Sequence, residues 1–408
     1  MTMKEQKRVP ELRFAEFSGE WNYEQLENHI DLLSGYAFKG DDISEDKTGT
    51  PLLRGINITE GHIRHSEDID RYYTNEIEKL KKYFLKENDL VLGMDGSKVG
   101  KNVALINVAD EGSLLIQRVA RIRAKKTSDI RFIYLNIFSS RFHRYVDVVN
   151  TSSGIPHISA KQIKEFKIGF PSLTEQQKIA SFLSSVDKKT QQLQQKKHLL
   201  EQYKKGVMQQ IFSQELSFTR EDGNAYPDWE EKRLNKVSNI NPKAKKIPNS
   251  FYYIDLESVN KGILTRKQRV ELKNAPSRAQ RLLKKGDLLF QTVRPYQKNN
   301  LHFNISDDDF VASTGYAQIR ANESASYLFH FLHTNGFVNR VLSRCTGTSY
   351  PTINSSDLGK ILIKIPCPDE QTQIANFLSA IDKKIAVVQT QLAQTQRFKK
   401  GLLQQLFV

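Results

Sequence analysis

The feature that most constrains this chain is a long segment that occurs twice. Glu175 to Ser213 (EQQKIASFLSSVDKKTQQLQQKKHLLEQYKKGVMQQIFS) lies over Glu370 to Val408 (EQTQIANFLSAIDKKIAVVQTQLAQTQRFKKGLLQQLFV) without a gap and at a constant offset, and close to half of the pairs are identical. An internal repeat of this length makes the chain two copies of one unit. In the first copy Ile179, Val186, Leu193, Leu200 and Val207 recur with heptad spacing, and Leu183 and Ile211 lie on the neighbouring seam. In the second, Ile374, Ile381, Val388 and Leu402 form one seam and Leu378, Ile385, Leu392 and Leu406 the other. A heptad pattern sustained this long, with no proline inside, predicts two helices that pair as an antiparallel coiled coil. Each would be about 57 Å long, from ~38 residues at ~1.5 Å rise.

Thr174 with Gln177 has the form of a capping box, and Pro171 and Pro368 are placed just outside the two starts. Thr190, Lys197 and Lys204 interrupt the first seam; Thr395 and Lys399 interrupt the second. The match extends to polar positions: Asp187-Lys188-Lys189 with Asp382-Lys383-Lys384, and Lys204-Lys205-Gly206 with Lys399-Lys400-Gly401. Helices that merely filled two unrelated cores would agree only at apolar positions. The interface between the helices, and with partners, is therefore assigned to Ile179, Leu183, Val186, Leu193, Leu200, Ile374, Leu378, Ile381, Val388 and Leu392.

The rest of the chain divides around these segments. Residues 1–170 hold a polar tail and a first globular part, 171–213 the first helical region, 214–228 a linker with the turn residues Asp222-Gly223-Asn224, 229–365 a second globular part and 366–408 the second helical region. The globular parts read as short strands broken by Gly, Asn and Asp, with a helix around Ile130 to Tyr145, so the class is α+β. They echo each other sparsely. Trp21 to Leu26 pairs with Trp229 to Leu234, Leu85 to Val91 with Leu283 to Leu289, Ala120 to Ala124 with Ala317 to Ala321, and Thr151 to Ile158 with Thr346 to Ile353. A shared scaffold carrying divergent loops suggests two domains that recognise different things.

Charge indicates what is recognised. The 61 Lys+Arg against 46 Asp+Glu leave a formal charge of +15, which points to a polyanion, nucleic acid first. Cys345 and Cys367 are too few for a disulfide framework or an all-thiolate zinc site. The opening residues contain no apolar h-region and no run approaches the ~18 apolar residues of a membrane span, so a cytoplasmic protein with no membrane partner is expected.

A search for chemistry is mostly negative. There is no GxxxxGK[ST] loop for ATP, and Gly93 to Gly100 is glycine-bearing but lies among short strands rather than in a βαβ unit. His330 and His333 have helical spacing that could ligate a metal, yet no HExxH pattern or acidic cluster accompanies them, and no metal is assigned. Asp307-Asp308-Asp309 reads as a solvated turn. A non-catalytic chain is expected. What remains is recognition: Arg54 and Asn57; Lys98, Lys101 and Asn102; and Arg294, Tyr296 and Lys298 mix cations with amides and an aromatic. Arg and Lys can pair with guanine, Asn and Gln with adenine, and further cations can neutralise phosphates. Each cluster taken singly also fits an exposed basic loop, and Lys243-Lys245-Lys246 and Lys284-Lys285 fit phosphate contacts or plain surface.

The arrangement of two divergent basic domains alternating with two copies of one helix resembles the specificity subunit of type I restriction-modification enzymes. The resemblance covers nearly the whole chain. It is carried by Pro10 to Phe14 with Trp21, Ser34 to Lys39, Leu53 to Ile58, Asp89 to Val91, and above all by the twice-occurring Pro…EQ-x-x-IA-x-FL-S-x-[VI]-D segments beginning at Pro171 and Pro366. It implies two target recognition domains, each reading one half of a bipartite site in double-stranded DNA, and helices that set their separation and dock two modification (methyltransferase) subunits. Half-sites about one helical turn, ~34 Å, apart are the natural geometry for such a ruler. It further implies an ATP-dependent restriction subunit, with S-adenosylmethionine, ATP and Mg on the partners and no cofactor on this chain. The alternative reading is a stand-alone nucleic-acid-binding accessory protein.

Overall fold

The computed structural model describes residues 9–150, 154–244, 246–260, 262–306 and 309–408. The polar tail before residue 9, Thr151-Ser152-Ser153 of the repeated loop, Lys245 and Asp307-Asp308 lie outside the described residues. The chain forms two compact units, Met1–Gln192 with Leu392–Val408, and Leu193–Gln391. The division cuts both long helices near their middles rather than at the ends of the globular parts.

In the first unit, Ile30–Ser34, Val119–Ala124, Leu90–Gly93 and Val103–Leu105 form one four-stranded sheet in that order, and Ile43–Ser44, Arg71–Tyr73, Thr50–Leu53 and Leu114–Leu115 form another. The inner strand Leu90–Gly93 reads as a continuous apolar run because both its faces are covered. Leu90 and Leu92 point into one core with Phe132, Phe142 and Ile163, whereas Val91 points into the other with Leu53, Leu80 and Leu114. Alternation of faces along a strand is what lets one run serve two cores.

The second unit repeats this plan. Ser238–Ile240, Tyr316–Ala321, Leu288–Gln291 and Leu301–His302 form one sheet; Gln268–Glu271, Ser250–Ile254, Phe310–Ser313 and Ala279–Leu282 form the other. Leu288 and Phe290 enter one core and Leu289 the other. One pairing in each second sheet is parallel, Leu52 with Leu114 and Tyr252 with Phe310. Two of the sequence echoes meet in space. Buried Asp89 accepts from Arg123 at 2.5 and 2.7 Å, and buried Asp287 accepts from Arg320 at 2.8 Å on both oxygens. Each of these carboxylates also accepts the backbone N–H at the start of its own turn, Lys86 or Lys284.

The long helices run over Leu173–Ser213 and Pro368–Gln405. The first is capped by Ser172, whose hydroxyl accepts from Glu175 N–H at 3.3 Å, and not by the Thr174/Gln177 pair. Pro368 is the first residue of the second helix rather than a residue outside it, a position where its missing N–H costs nothing. The helix expected around Ile130 to Tyr145 is two, Ile130–Ile137 and Ser140–Val149, because the Ser139 side chain caps a new start by accepting from Phe142 N–H.

Seam residues enter the cores of both units. In the first unit Ile179, Leu183 and Val186 share a core with Leu402 and Leu406; in the second, Val207 and Ile211 share one with Ile374, Leu378 and Ile381. Leu193, Val388 and Leu392 are buried, and Leu200 is half-buried.

Candidate nucleic-acid interface

Each globular part is joined to a long helix by the same device. Trp21 Nε1 donates to buried Glu175 at 3.3 Å, and Trp229 Nε1 donates to buried Glu370 at 3.0 Å. In the first unit Arg13 adds a two-pronged contact to Glu175 at 2.8 and 2.7 Å. The next residue binds the chain that leads in: Gln176 donates to Pro171 O at 3.0 Å and Gln371 to Pro366 O at 2.9 Å. The repeated Glu-Gln pair is thus a joint. Burial pushes the Glu370 carboxyl up, and the Trp229 hydrogen bond partly opposes it.

Beyond the joint, the strands Leu90–Gly93 and Leu288–Gln291 each lead into a loop built on one template. Gly96 N–H donates to Pro156 O at 3.0 Å, and Arg294 N–H donates to Pro351 O at 2.8 Å. Asp95 bridges His157 as Val293 bridges Thr352. Ile158 N–H reaches Met94 O, and Ile353 N–H reaches Thr292 O. The basic groups at Lys98 to Asn102 and at Arg294 to Lys298 are therefore one loop in two copies. The side chains of the two loops differ at almost every position, so the repeat is hidden in the sequence, although the echoed Pro156 to Ile158 and Pro351 to Ile353 that brace the loops are visible there. Residues 96 and 100 have φ of +92° and +75°, and residues 294 and 298 have φ of +53° and +51°.

The predicted contact residues fall into different environments. Asn57 is buried; its amide donates to Arg64 O and Asp70 and accepts from Arg54 N–H, so its hydrogen bonds hold the turn rather than face outward. Arg54 donates to Ile69 O beside it. Lys98 is exposed and paired with Glu60 at 3.2 Å; Lys101 is exposed and Asn102 half-buried on the same loop. Tyr296 is half exposed. Lys298 is half-buried, donating to His333 O at 2.8 Å and Asn335 Oδ1 at 2.6 Å, and burial lowers its pKa. Arg294 stacks its guanidinium over Tyr350, 4.2 Å from the ring centre. Neither Tyr350 in the second unit nor Arg118 in the first, which pairs with Asp95 at 2.8 Å, was among the expected contacts.

His330 and His333 do not converge on a common point. His330 is buried with Nε2 3.9 Å from Asp382, and desolvation lowers its pKa to about 3; His333 Nδ1 faces Phe329 O at 2.7 Å. Among the described residues no group of His, Cys, Asp and Glu could hold a metal ion, and no helix is long and apolar enough to cross a membrane.

The family described as the type I restriction modification DNA specificity domain matches this chain twice, over residues 19–202 and 226–397. The chain belongs to that family. The two matches coincide with the two copies of the scaffold and joint. Among specificity-family relatives, the type I restriction enzyme MjaVIII specificity subunit of Methanocaldococcus jannaschii is 26% identical over 349 residues, 79% of each chain. The EcoAI specificity subunit of Escherichia coli is 31% identical over 186 residues, 44% of this chain and 31% of that one. The crystal structure of the type I restriction-modification S subunit from M. genitalium shares the fold at a TM-score of 0.62 with 16% identity, covering 98% of this chain and 99% of that one.

Proposed function

We propose that this chain is the sequence-specific, non-catalytic DNA-binding subunit of a type I restriction-modification complex in the cytoplasm, with each globular part reading one half of a bipartite site in double-stranded DNA. The double match to the specificity family carries this reading. The +15 charge and the two unlike copies of one braced loop support it.

In the same reading the long helices pair as an antiparallel coiled coil that sets the spacer and docks two modification subunits. The early part of one helix sharing a core with the late part of the other, once in each unit, favours opposed directions. S-adenosylmethionine, ATP and Mg belong to the modification and restriction partners, and this chain carries no cofactor. Arg54, Lys98, Lys101, Asn102, Arg294, Tyr296 and Lys298 supply phosphate and base contacts, and Asn57 shapes the turn that presents Arg54.

Mapping methylated adenines in the source strain with and without this gene tests the proposal. One split motif should vanish on deletion. An unaltered methylation pattern would leave only a basic accessory protein.

A further inference from the structure

We infer that Arg294, held on the face of Tyr350, is the side chain that selects a guanine in the half-site read by the second unit; this rests on the DNA-reading function proposed above. The argument begins with the backbone. The loop template requires a left-handed residue at two places, and the first copy uses glycine at both, Gly96 and Gly100. The second copy puts Arg294 and Lys298 there, at φ +53° and +51°. A side chain with a Cβ is disfavoured in this region, so the fold alone would favour glycine.

Lys298 has a structural use, since its ammonium ties the loop to His333 O and Asn335. Arg294 has none of that kind. Its Nε is buried and without a hydrogen-bond partner among the described residues, a second unfavourable feature at the same position. Its guanidinium rests on Tyr350, which is 62% exposed, and Tyr296 two residues on is 50% exposed. Strain and an unmet donor on one residue mark a site kept for something other than stability.

Stacking fixes the plane of the guanidinium and leaves its fork of N–H donors to match a planar pair of acceptors. On duplex DNA that pair is guanine O6 and N7 in the major groove. The first unit lacks the device, with Gly96 in place of Arg294 and the exposed Ile155 in place of Tyr350, so the two half-sites are read by different means.

The test maps methylated motifs in the source strain carrying wild-type, deleted, Arg294→Ala or Arg294→Gln alleles. It then measures, on the purified native complex, competition between duplexes that differ at single base pairs of the motif. Arg294→Ala should reduce discrimination at one G·C pair of one half-site by on the order of ten-fold, leaving the other half-site unchanged. Arg294→Gln should shift that pair towards A·T, and it serves as the main comparison if the alanine variant fails to fold. Tyr350→Phe should read as wild type, and Tyr350→Ala should weaken the same discrimination. An unchanged motif and unchanged ratios in both Arg294 variants would overturn the inference, as would a loss spread evenly over all sequences, which would make Arg294 a phosphate contact. If deletion of the gene alters no motif, the DNA-reading function itself fails, whatever the Arg294 variants do.

Discussion

Lys204 donates to both carboxylate oxygens of Asp382, at 2.5 and 2.7 Å, and the repeat-equivalent Lys399 lies 2.5 Å from Asp187. Two of the three lysines that break the heptad seams are thus the partners of the aspartates in the two repeated Asp-Lys-Lys groups, each tying one long helix to the other inside its own unit; the third, Lys197, pairs with Glu201 on its own helix. Asp382 is 42% exposed, so solvent screening limits the coupling to about 1 kcal/mol or less. Lys204→Asp should lower the melting temperature by setting two carboxylates together, and adding Asp382→Lys should recover most of the loss. A thermal double-mutant cycle with zero coupling would mean that the pair contributes nothing.

The joint at Trp229 gives a pH prediction. Glu370 is held above its ordinary value by burial, so the folded state binds its proton more tightly than the unfolded chain does. The second unit should then lose stability as pH rises from about 4.5 through the folded value, by the sign of proton linkage. Trp229→Phe removes the indole donor that opposes the shift, leaving the carboxylate unpaired at neutral pH at a cost of roughly 1–3 kcal/mol. Melting temperatures of both proteins across the acid range should diverge as pH increases, and parallel curves would contradict the account.

His330 works in the opposite direction. Its pKa is lowered to about 3, so the stability it allows is complete above 6.5 and is lost progressively as pH falls from 6.5 to about 3. The same place on the helix Ile130–Ile137 is filled by Leu135. His330→Leu should flatten the acid limb of the stability curve while changing the neutral value little. An acid midpoint identical to wild type would place the sensitivity elsewhere.

Two glycines of the first-unit loop separate strain from crowding. Both have positive φ, but a Cβ on Gly96 would meet nothing within 4 Å, whereas one on Gly100 would lie 2.8 Å from Val146 Cγ2. Gly96→Ala should cost about 1 kcal/mol from backbone strain alone, and Gly100→Ala should cost more than that by adding a clash in the core. Chemical denaturation of the two variants decides it; equal losses would show that the Val146 contact relaxes freely.

Inserting a few residues between Ser213 and Asp222 should change the spacer of the methylated motif and leave both half-sites as they were. Thr219 to Ala225 forms a tight bridged turn, and Phe218 packs on Phe377, so the insertion is best placed at Gln214 to Leu216. Genome-wide methylation mapping checks it, and altered bases in either half would contradict a division between ruler and readers.

The long helices were legible because heptads are local, and their pairing chemistry was misread for the same reason. Lys204 and Lys399 look like interruptions until the opposite aspartates are seen. The sheets were not legible as topology, since the parallel contact of Leu52 with Leu114 joins residues that nothing local connects. The echoes at Asp89 and Arg123 were visible, but not that they form one ion pair. Of the candidate contacts, the clusters near residues 98 and 294 fall on one repeated loop, while Asn57 is a turn residue. Glycine in one copy and arginine or lysine in the other share positive φ and no side-chain chemistry, so a comparison of side chains does not align these positions.

The core of the first unit takes in Leu402 and Leu406, Phe407 packs on Phe132, and Leu12 N–H bonds to Gln405 O. On a translating ribosome the first globular part is therefore made early but closed last. The second unit, whose residues are contiguous, can complete itself while the first still waits for its final strip of helix. Premature termination a few codons before Leu402 would consequently damage the half of the molecule that was synthesised first.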